Sequence, residues 1–339
     1  MKFRKIMVLT GDHGLPDPTK RGAHYNPEDM VTHEAMKHAF ASLPGYDFTF
    51  LSDHAAFMEQ LEADPPDLVV NFCDTGLKNV PAHELHIPAH LEILGIPYTG
   101  APPAAMVICF DKAIVRLVAQ SLGVAVPAEA FIVSDAPLDA LPDIYPALIK
   151  PNTADGSVGI TKDAVVHDAD EARAYLTWLR KTLPRQDALI QEYLPGPEYG
   201  VGLIGNPDTG LTALPPLEVD FSGLPEGLNP ILSYESKAIP DSPYWTDIKF
   251  KQAAIEPPVQ TAMVAAAKTL FRRLSLRDYG RFDFRRGADG TLKLMEVNPN
   301  PAWANDGKLA FMAGFAGIAY RDMLRMILEA AIARLQPRG

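Results

Sequence analysis

The opening of the chain constrains the fold most. "KIMVLT" (5–10) and "DLVVNF" (67–72) are short apolar runs of the kind seen in parallel strands buried on both faces. Between them, "NPEDMVTHEAMKHAFASL" (26–43) reads as a helix, with Asn26 as N-cap and Pro27 at the first helical position. Strand, helix and strand in that order predict a βαβ opening and an α/β class fold. At 339 residues the chain exceeds one compact core, so two or three domains are expected.

The rest supplies more elements. "IPAHLEILGIPYTG" (87–100) holds a short helix and another strand, and "DKAIVRLVAQSLGVAVP" (111–127) an amphipathic helix ending at Gly123. Strands follow at 131–133, 146–151 and 188–193, with a helix over 168–183. Beyond them lie strand-rich sequence, a helix near 257–275, a hairpin, and a C-terminal helix at 318–336. Boundaries near 105 and 190 divide the chain into segments 1–105, 106–190 and 191–339.

Several functions are excluded. Net charge is −11 with no long basic run, which speaks against nucleic acid and anionic membrane as partners. Cys73 and Cys109 have no metal-ligand spacing, and a reduced cytoplasmic protein is the expectation. The first apolar run is too short for a signal peptide or a membrane span. The first strand–helix turn, "GDHGLPDP", lacks the Gly-x-Gly-x-x-Gly fingerprint, which argues against a nicotinamide dehydrogenase. The histidines of "HELHIPAH" (83–90) do not form His-Glu-x-x-His, and Pro88 breaks any continuous ligand face.

The hairpin "RFDFRRGADGTLKLMEVNPNPAW" (281–303) is chemically unusual. Side chains on a strand alternate faces, so Arg281 shares a face with Asp283, and Glu296 with Asn298. With "GADG" as a four-residue turn, Arg281 falls opposite Glu296 and all four polar groups share one face. Two carboxylates and an amide oxygen suit Mg²⁺, and Arg281 beside them suits a phosphate or an oxyanion. For an isolated hairpin, a solvated face with a surface ion pair is the simpler account.

Two loops add to this. In "IKPNTADGSVGI" (149–160) Lys150 ends a strand, and Gly156, Ser157 and Gly159 form a turn whose N–H groups could cradle phosphate. It is neither a Walker A loop nor a Gly-x-Ser-x-Gly elbow, and alone it is a plain turn. "LIQEYLPGPEYGV" (189–201) offers a strand edge to an adenine ring and Glu198 to a ribose, or simply connects two domains.

In order, these pieces resemble the ATP-grasp ligases, within them the D-alanine–D-alanine ligase-like group. The matching stretches run from about 95 to the C-terminus and include "SYESKA" (233–238). The resemblance implies an N-terminal parallel α/β domain followed by the two halves of an ATP grasp. It implies ATP and Mg²⁺ as cofactors, two ions, with Mn²⁺ as a substitute. Lys112 and Lys150 then match the phosphate-binding lysines, with Gly156 and Ser157 in the phosphate loop. Gln191, Glu192, Tyr193 and Leu194 match the adenine hinge and Glu198 the ribose acid, although the family usually has Glu at position 191. Lys237 matches a lysine on the terminal phosphate. Asp283, Glu296 and Asn298 match the metal ligands, and Arg281 the oxyanion-stabilising arginine. The chemistry implied is attack of a carboxylate on ATP, then of an amine on the acyl phosphate. Its partners are small-molecule carboxylates and amines, and a homodimer is the assembly the analogy suggests.

The departures cluster on the substrate side. The loop after the first strand is long and carries Lys20 and Arg21 where the family has an acid for an ammonium group. Ala238 replaces an aromatic, and Asp306, Gly307 and Lys308 replace a Ser-Leu pair. The expectation is a ligase acting on an amino acid or amino-acid-like substrate other than D-alanine, where the cations Lys20, Arg21 and Lys308 favour a substrate that carries an extra carboxylate or lacks a free ammonium at the donor end. A solvated loop is the bland alternative for the first two. Rival functions are a D-alanine–D-alanine ligase with unusual contacts and a nucleotide-binding protein without catalysis. The segment "AIPDSPYWTDIK" (238–249) is expected to be a long loop, either a lid or a passive surface.

Overall fold

The computed structural model describes residues 3–336 in three sheets. The first is parallel, with β1 (Lys5–Leu9) between β2 (Asp47–Leu51) and β3 (Leu68–Asn71). Val69 extends it through a parallel bridge to Tyr98. The helix Pro27–Ala41 starts at the expected proline, and the Asp29 carboxylate accepts from the Asn26 N–H at 2.8 Å. This is one half of a capping box. The opening differs from expectation in one respect. The helix leads from β1 to β2, and a second helix, Phe57–Ala63, leads on to β3. The sequence reading missed β2 because it is an edge strand, half exposed, with the polar Asp47 and Thr49 on its open side.

The second sheet is antiparallel, in the order β4 (Glu129–Ile132), β7 (Ala188–Glu192), β5 (Ala147–Pro151), β6 (Val165–Val166). The helix Ala169–Thr182 covers it through Ala172, Leu176 and Leu179. Its start is fixed by Asp168, whose carboxylate accepts from the N–H groups of Asp170 and Glu171 at 2.9 Å. The third sheet runs β11 (Lys249–Gln252), β10 (Leu217–Asp220), β8 (Glu198–Asn206), β12 (Tyr279–Arg286), β13 (Leu292–Asn298), and β9 (Gly210–Ala213) pairs with β8. It too is antiparallel. Helices Pro257–Arg273 and Tyr320–Leu335 bury Leu270, Phe271, Leu324 and Ile327 in the cores around it.

One core runs through all three sheets. Phe72 of the first stacks on Trp303, ring centroids 5.5 Å apart and 9° from parallel, and the Trp303 indole N–H donates to the Phe72 carbonyl at 2.7 Å. Asp278, fully buried, accepts from the Gly100 N–H, the Asn206 amide and the Arg334 guanidinium at 2.8–2.9 Å. No helix among the described residues is long and apolar enough to cross a membrane. The segment 238–249 is not one long loop. It holds the short helix Pro243–Thr246, anchored by the buried Tyr244, whose hydroxyl donates to the Asn229 carbonyl at 3.0 Å.

Candidate active site

The site lies where β5 and its phosphate-type loop face β8, β12 and β13. The hairpin register differs from expectation. Arg281 pairs with Asn298 and Asp283 with Glu296, not Arg281 with Glu296. Two irregularities cause this. Arg286 pairs with Leu292, so five residues (287–291) separate the strands instead of four. Gly287 N–H donates to the Thr291 carbonyl at 2.8 Å and Gly290 N–H to the Gly287 carbonyl at 3.0 Å, which leaves a three-residue loop at 288–290. Gly290 takes the left-handed conformation (φ 78°) that such a three-residue loop requires. The pairing then shifts by one more residue between Asp283 and Phe284, leaving Met295 as a bulge. Either shift alone would turn Glu296 and Asn298 to the opposite face. Together they cancel, so the four polar residues do share one face.

That face has an open floor. Gly200 and Gly202 of β8 pair with Asp283 and Arg281. A methyl group at Gly202 would sit 2.7 Å from Leu309, and one at Gly200 would point toward Asp283 and Arg281. Arg281 grips Asp283 through Nε and Nη2 at 2.9–3.2 Å. Lys308 lies 3.8 Å from the same carboxylate and 3.6 Å from Glu198. Burial alone would push the Asp283 carboxyl up, but Arg281 and Lys308 outweigh it and hold it below the usual range. Glu296 is likewise raised by burial and brought lower by Lys112, whose ammonium is 3.3 Å away.

Five cations converge on these acids, Arg281, Lys308 and three further lysines. Lys112 also donates to the Ala154 carbonyl at 2.5 Å, which ties it to the phosphate-type loop. Lys150, buried at the end of β5, is depressed to about 8 by burial and then by repulsion from Lys112. Lys237 falls to about 8 through crowding by protein and then Lys308, although it is open to the water of the cleft. Both are held down although Glu296 acts to raise each. In the loop itself Gly156, Ser157 and Gly159 all have positive φ (65°, 62° and 78°), and the Ser157 hydroxyl donates to the Leu232 carbonyl at 2.8 Å. Left-handed backbone at a serine is strained, and such strain gathers at ligand clamps.

The hinge residues are placed as follows. Gln191 is buried and its amide donates to Glu129 at 2.6 Å. Glu192 accepts from Lys293 at 2.6 and 2.8 Å. The Tyr193 ring carries the Arg285 guanidinium, 5.6 Å from its centroid, and Leu194 is buried. Glu198 lies between Lys308 and Arg285, both 3.6 Å away. The sequence reading missed Arg285, although strand alternation puts it on the face of Arg281 and Asp283.

The three cations singled out in the sequence all have carboxylate neighbours. Lys20 is paired with Asp29 at 2.9 Å and Arg21, at the surface, with Glu28 at 3.1 Å. Lys308 lies 3.6 Å from Glu198 and 3.8 Å from Asp283. The loop that carries Lys20 does reach the site. Thr19 borders Gly156, with its Cβ 3.5 Å from where a side chain there would begin.

Residues 140–329 match the family described as "D-ala D-ala ligase C-terminus". An uncharacterised protein of Sinorhizobium fredii, y4sG, is 30% identical over 257 residues, 75% of this chain and 72% of that one. A D-alanine–D-alanine ligase of Cupriavidus taiwanensis is 30% identical over 249 residues, 73% and 71%. In fold, the chain is similar to the D-alanine–D-alanine ligase structure from Bacillus anthracis, with a TM-score of 0.73 at 21% identity over 97% of each chain. It is also similar to the VanG D-Ala:D-Ser ligase structure from Enterococcus faecalis, with a TM-score of 0.71 at 18% identity, covering 97% of this chain and 99% of that one.

Proposed function

Because the chain belongs to the D-alanine–D-alanine ligase family of ATP-dependent, ADP-forming carbon–nitrogen ligases, we propose that it joins a small carboxylate to an amine through an acyl phosphate, on substrates other than a D-alanine pair. The observation that carries this is the convergence of Lys112, Lys150, Lys237 and Arg281 on Asp283, Glu296 and Asn298. Adenine binding alone has no use for that set.

The donor set fits Mg²⁺: two carboxylates paired across β12 and β13, and an amide on the same face, are hard oxygen ligands. Bound there, Mg²⁺ or Mn²⁺ would offset phosphate charge during transfer. The chain's own residues do the rest. Gln191 to Leu194 border the adenine and Glu198 the ribose. Lys112 and Lys150, with the loop at Gly156 and Ser157, hold the ATP phosphates in line with the attacking carboxylate. Lys237 meets the terminal phosphate. Arg281 faces the oxyanion that forms when the amine adds to the acyl carbon. No enzyme nucleophile is needed.

The altered substrate side supports a product other than D-alanyl-D-alanine. The loop after β1 carries Lys20 and Arg21, each beside an acid of the following helix, and Lys308 stands by Glu198 and Asp283. Phosphate release from ATP and Mg²⁺ across single carboxylates, amines and pairs, D-alanine included, tests the reading. Release that requires one carboxylate and one amine is the expected result. D-alanine as best donor and acceptor would overturn the substrate reading, and no release with any pair would overturn the activity.

A further inference from the structure

Position 191 holds a glutamine where the family usually has a glutamate, and the change alters what the side chain can recognise. A carboxylate only accepts hydrogen bonds. A glutamine amide has one accepting end and one donating end, and a half turn exchanges them. Left free, it would serve a base with an amino group at its edge as well as one with a carbonyl there. Gln191 is not free. Glu129 of β4 stands directly opposite it in the ladder, and the Gln191 Nε2 donates to the Glu129 carboxylate at 2.6 Å. A carboxylate cannot donate, so this contact decides which end of the amide is which. The Gln191 carbonyl oxygen is the other end. It accepts no hydrogen bond among the described residues, and it is not sealed off from solvent. The residue as a whole is only 4% exposed, which leaves the amide little room to swing elsewhere.

The face that these groups occupy is turned to the cleft. Ile149 of β5 and Ile190 of β7 point to the opposite side, into the core with Ala172, Leu176 and Leu179 of the helix Ala169–Thr182. Alternation and register then put Glu129, Gln191 and Lys150 together on the side away from that helix. There Lys150 feels Glu129 along with Glu296 and Glu198 of the third sheet. Three residues beyond Gln191, the Leu194 N–H donates to no group among the described residues, although Leu194 is only 3% exposed. Buried backbone N–H groups are nearly always paired. The hinge thus presents one acceptor and one donor that the rest of the chain does not use.

We propose that Glu129 sets the base specificity of the nucleotide site: by holding the Gln191 amide in one orientation, it makes the site accept a 6-amino purine and reject a 6-oxo purine. This deepens the ligase reading and rests on its placing of the base at residues 191–194. The amino group of adenine donates to the Gln191 carbonyl, and its ring N1 accepts from the Leu194 N–H. A 6-oxo purine carries an acceptor where adenine carries a donor, and an N–H at N1, so both contacts oppose it. A site that leaves its buried polar groups unpaired against the wrong partner discriminates strongly. Glu129 acts through Gln191 and does not itself meet the base, which makes it a positioning residue.

The test is calorimetric titration of the full chain with ADP and with inosine diphosphate, each with Mg²⁺, read as the ratio of the two affinities. ADP is expected to bind at least about tenfold more tightly. Glu129→Ala and Glu129→Gln release the amide to turn, and each should lower the ratio at least about threefold by strengthening inosine diphosphate. The exchanged pair, Glu129→Gln with Gln191→Glu, returns a pure acceptor to position 191 and a donor to position 129. Its ratio should come back to the wild-type value or exceed it. A residue that merely braced the strand would weaken both nucleotides alike and leave the ratio unmoved. The proposal is overturned if both single variants keep the wild-type ratio, or if the exchanged pair stays as relaxed as Glu129→Gln alone. Equal binding of the two nucleotides by the wild-type chain overturns it too, and removes only the base selection. A wild-type chain that binds neither nucleotide strikes the ligase reading itself.

Discussion

Asp283 carries a buried ion pair with Arg281 and a longer contact to Lys308, so its charge serves both the fold and the chemistry. Asp283→Asn keeps the shape and removes the charge. Turnover should drop at least about a hundredfold while circular dichroism stays native, as for loss of one preorganised electrostatic contact. Undiminished turnover would take the hairpin out of the reaction. Lys150 and Lys237 allow a second test at this scale. Both sit near 8 in the free protein, Lys150 lowered by burial and then by Lys112, and Lys237 by the protein crowded round it and then by Lys308. Phosphate contact favours the ammonium form and raises both. Nucleotide binding should therefore take up protons between about pH 8 and the higher bound value, and affinity should fall as pH rises through that window. Below it, affinity should be flat. Titration heats at pH 8.5 in two buffers of different ionisation enthalpy measure the uptake, and equal heats would exclude these lysines from the phosphates. Both lysines were legible from sequence because each stands in a short stretch of distinctive order. The pairing of Lys308 was not, since Glu198 and Asp283 are brought to it only by the tertiary fold, and that of Lys20 and Arg21 depends on a loop that turns back on the first turn of the next helix.

The hairpin β12–β13 shows how an element can be read correctly on a wrong register. Alternation gave the face, but nothing local gave the longer turn or the bulge at Met295, whose effects cancel. Deleting Met295 removes only the extra residue, so Asp283 stays opposite Glu296 and Phe282 opposite Val297 in a regular ladder. Soluble protein that still binds nucleotide, with little change in Tm, is the expected result. Loss of nucleotide binding in a folded Met295 deletion would mean that the bulge itself, and not the pairing it leads to, is what the site requires. Long helices were read closely, as in Ala169–Thr182 and Pro257–Arg273, because a repeating apolar stripe and a capping residue set them locally. Strand β2 is harder to find although Asp47, Phe48, Thr49 and Phe50 alternate polar and apolar, because the run is only five residues long and lies on an edge.

At the scale of the whole molecule, Asp278 ties the end of the first sheet's domain to β8 and to the last helix, through Gly100, Asn206 and Arg334. Asp278→Ala strands a guanidinium, an amide and a backbone N–H together, which costs about 3–5 kcal/mol for the broken buried ion pair. Urea unfolding should show that loss, and a change below about 1 kcal/mol would mean the junction is held by apolar packing alone. The α/β class and the order of the site stretches were visible in the sequence, whereas this junction was not, because its members lie up to 178 positions apart. The stacking of Trp303 on Phe72 has an optical consequence. Trp178 and Trp245 are 38% and 43% exposed, whereas Trp303 is 5% exposed with its N–H bound to a carbonyl. The three indoles should divide by colour: two emit at long wavelength and yield to iodide, while the third emits further to the blue and resists the quencher. Any separation of the first sheet from the hairpin would wet Trp303 alone, so the blue component of the fluorescence reads the opening of this joint as ligands come and go.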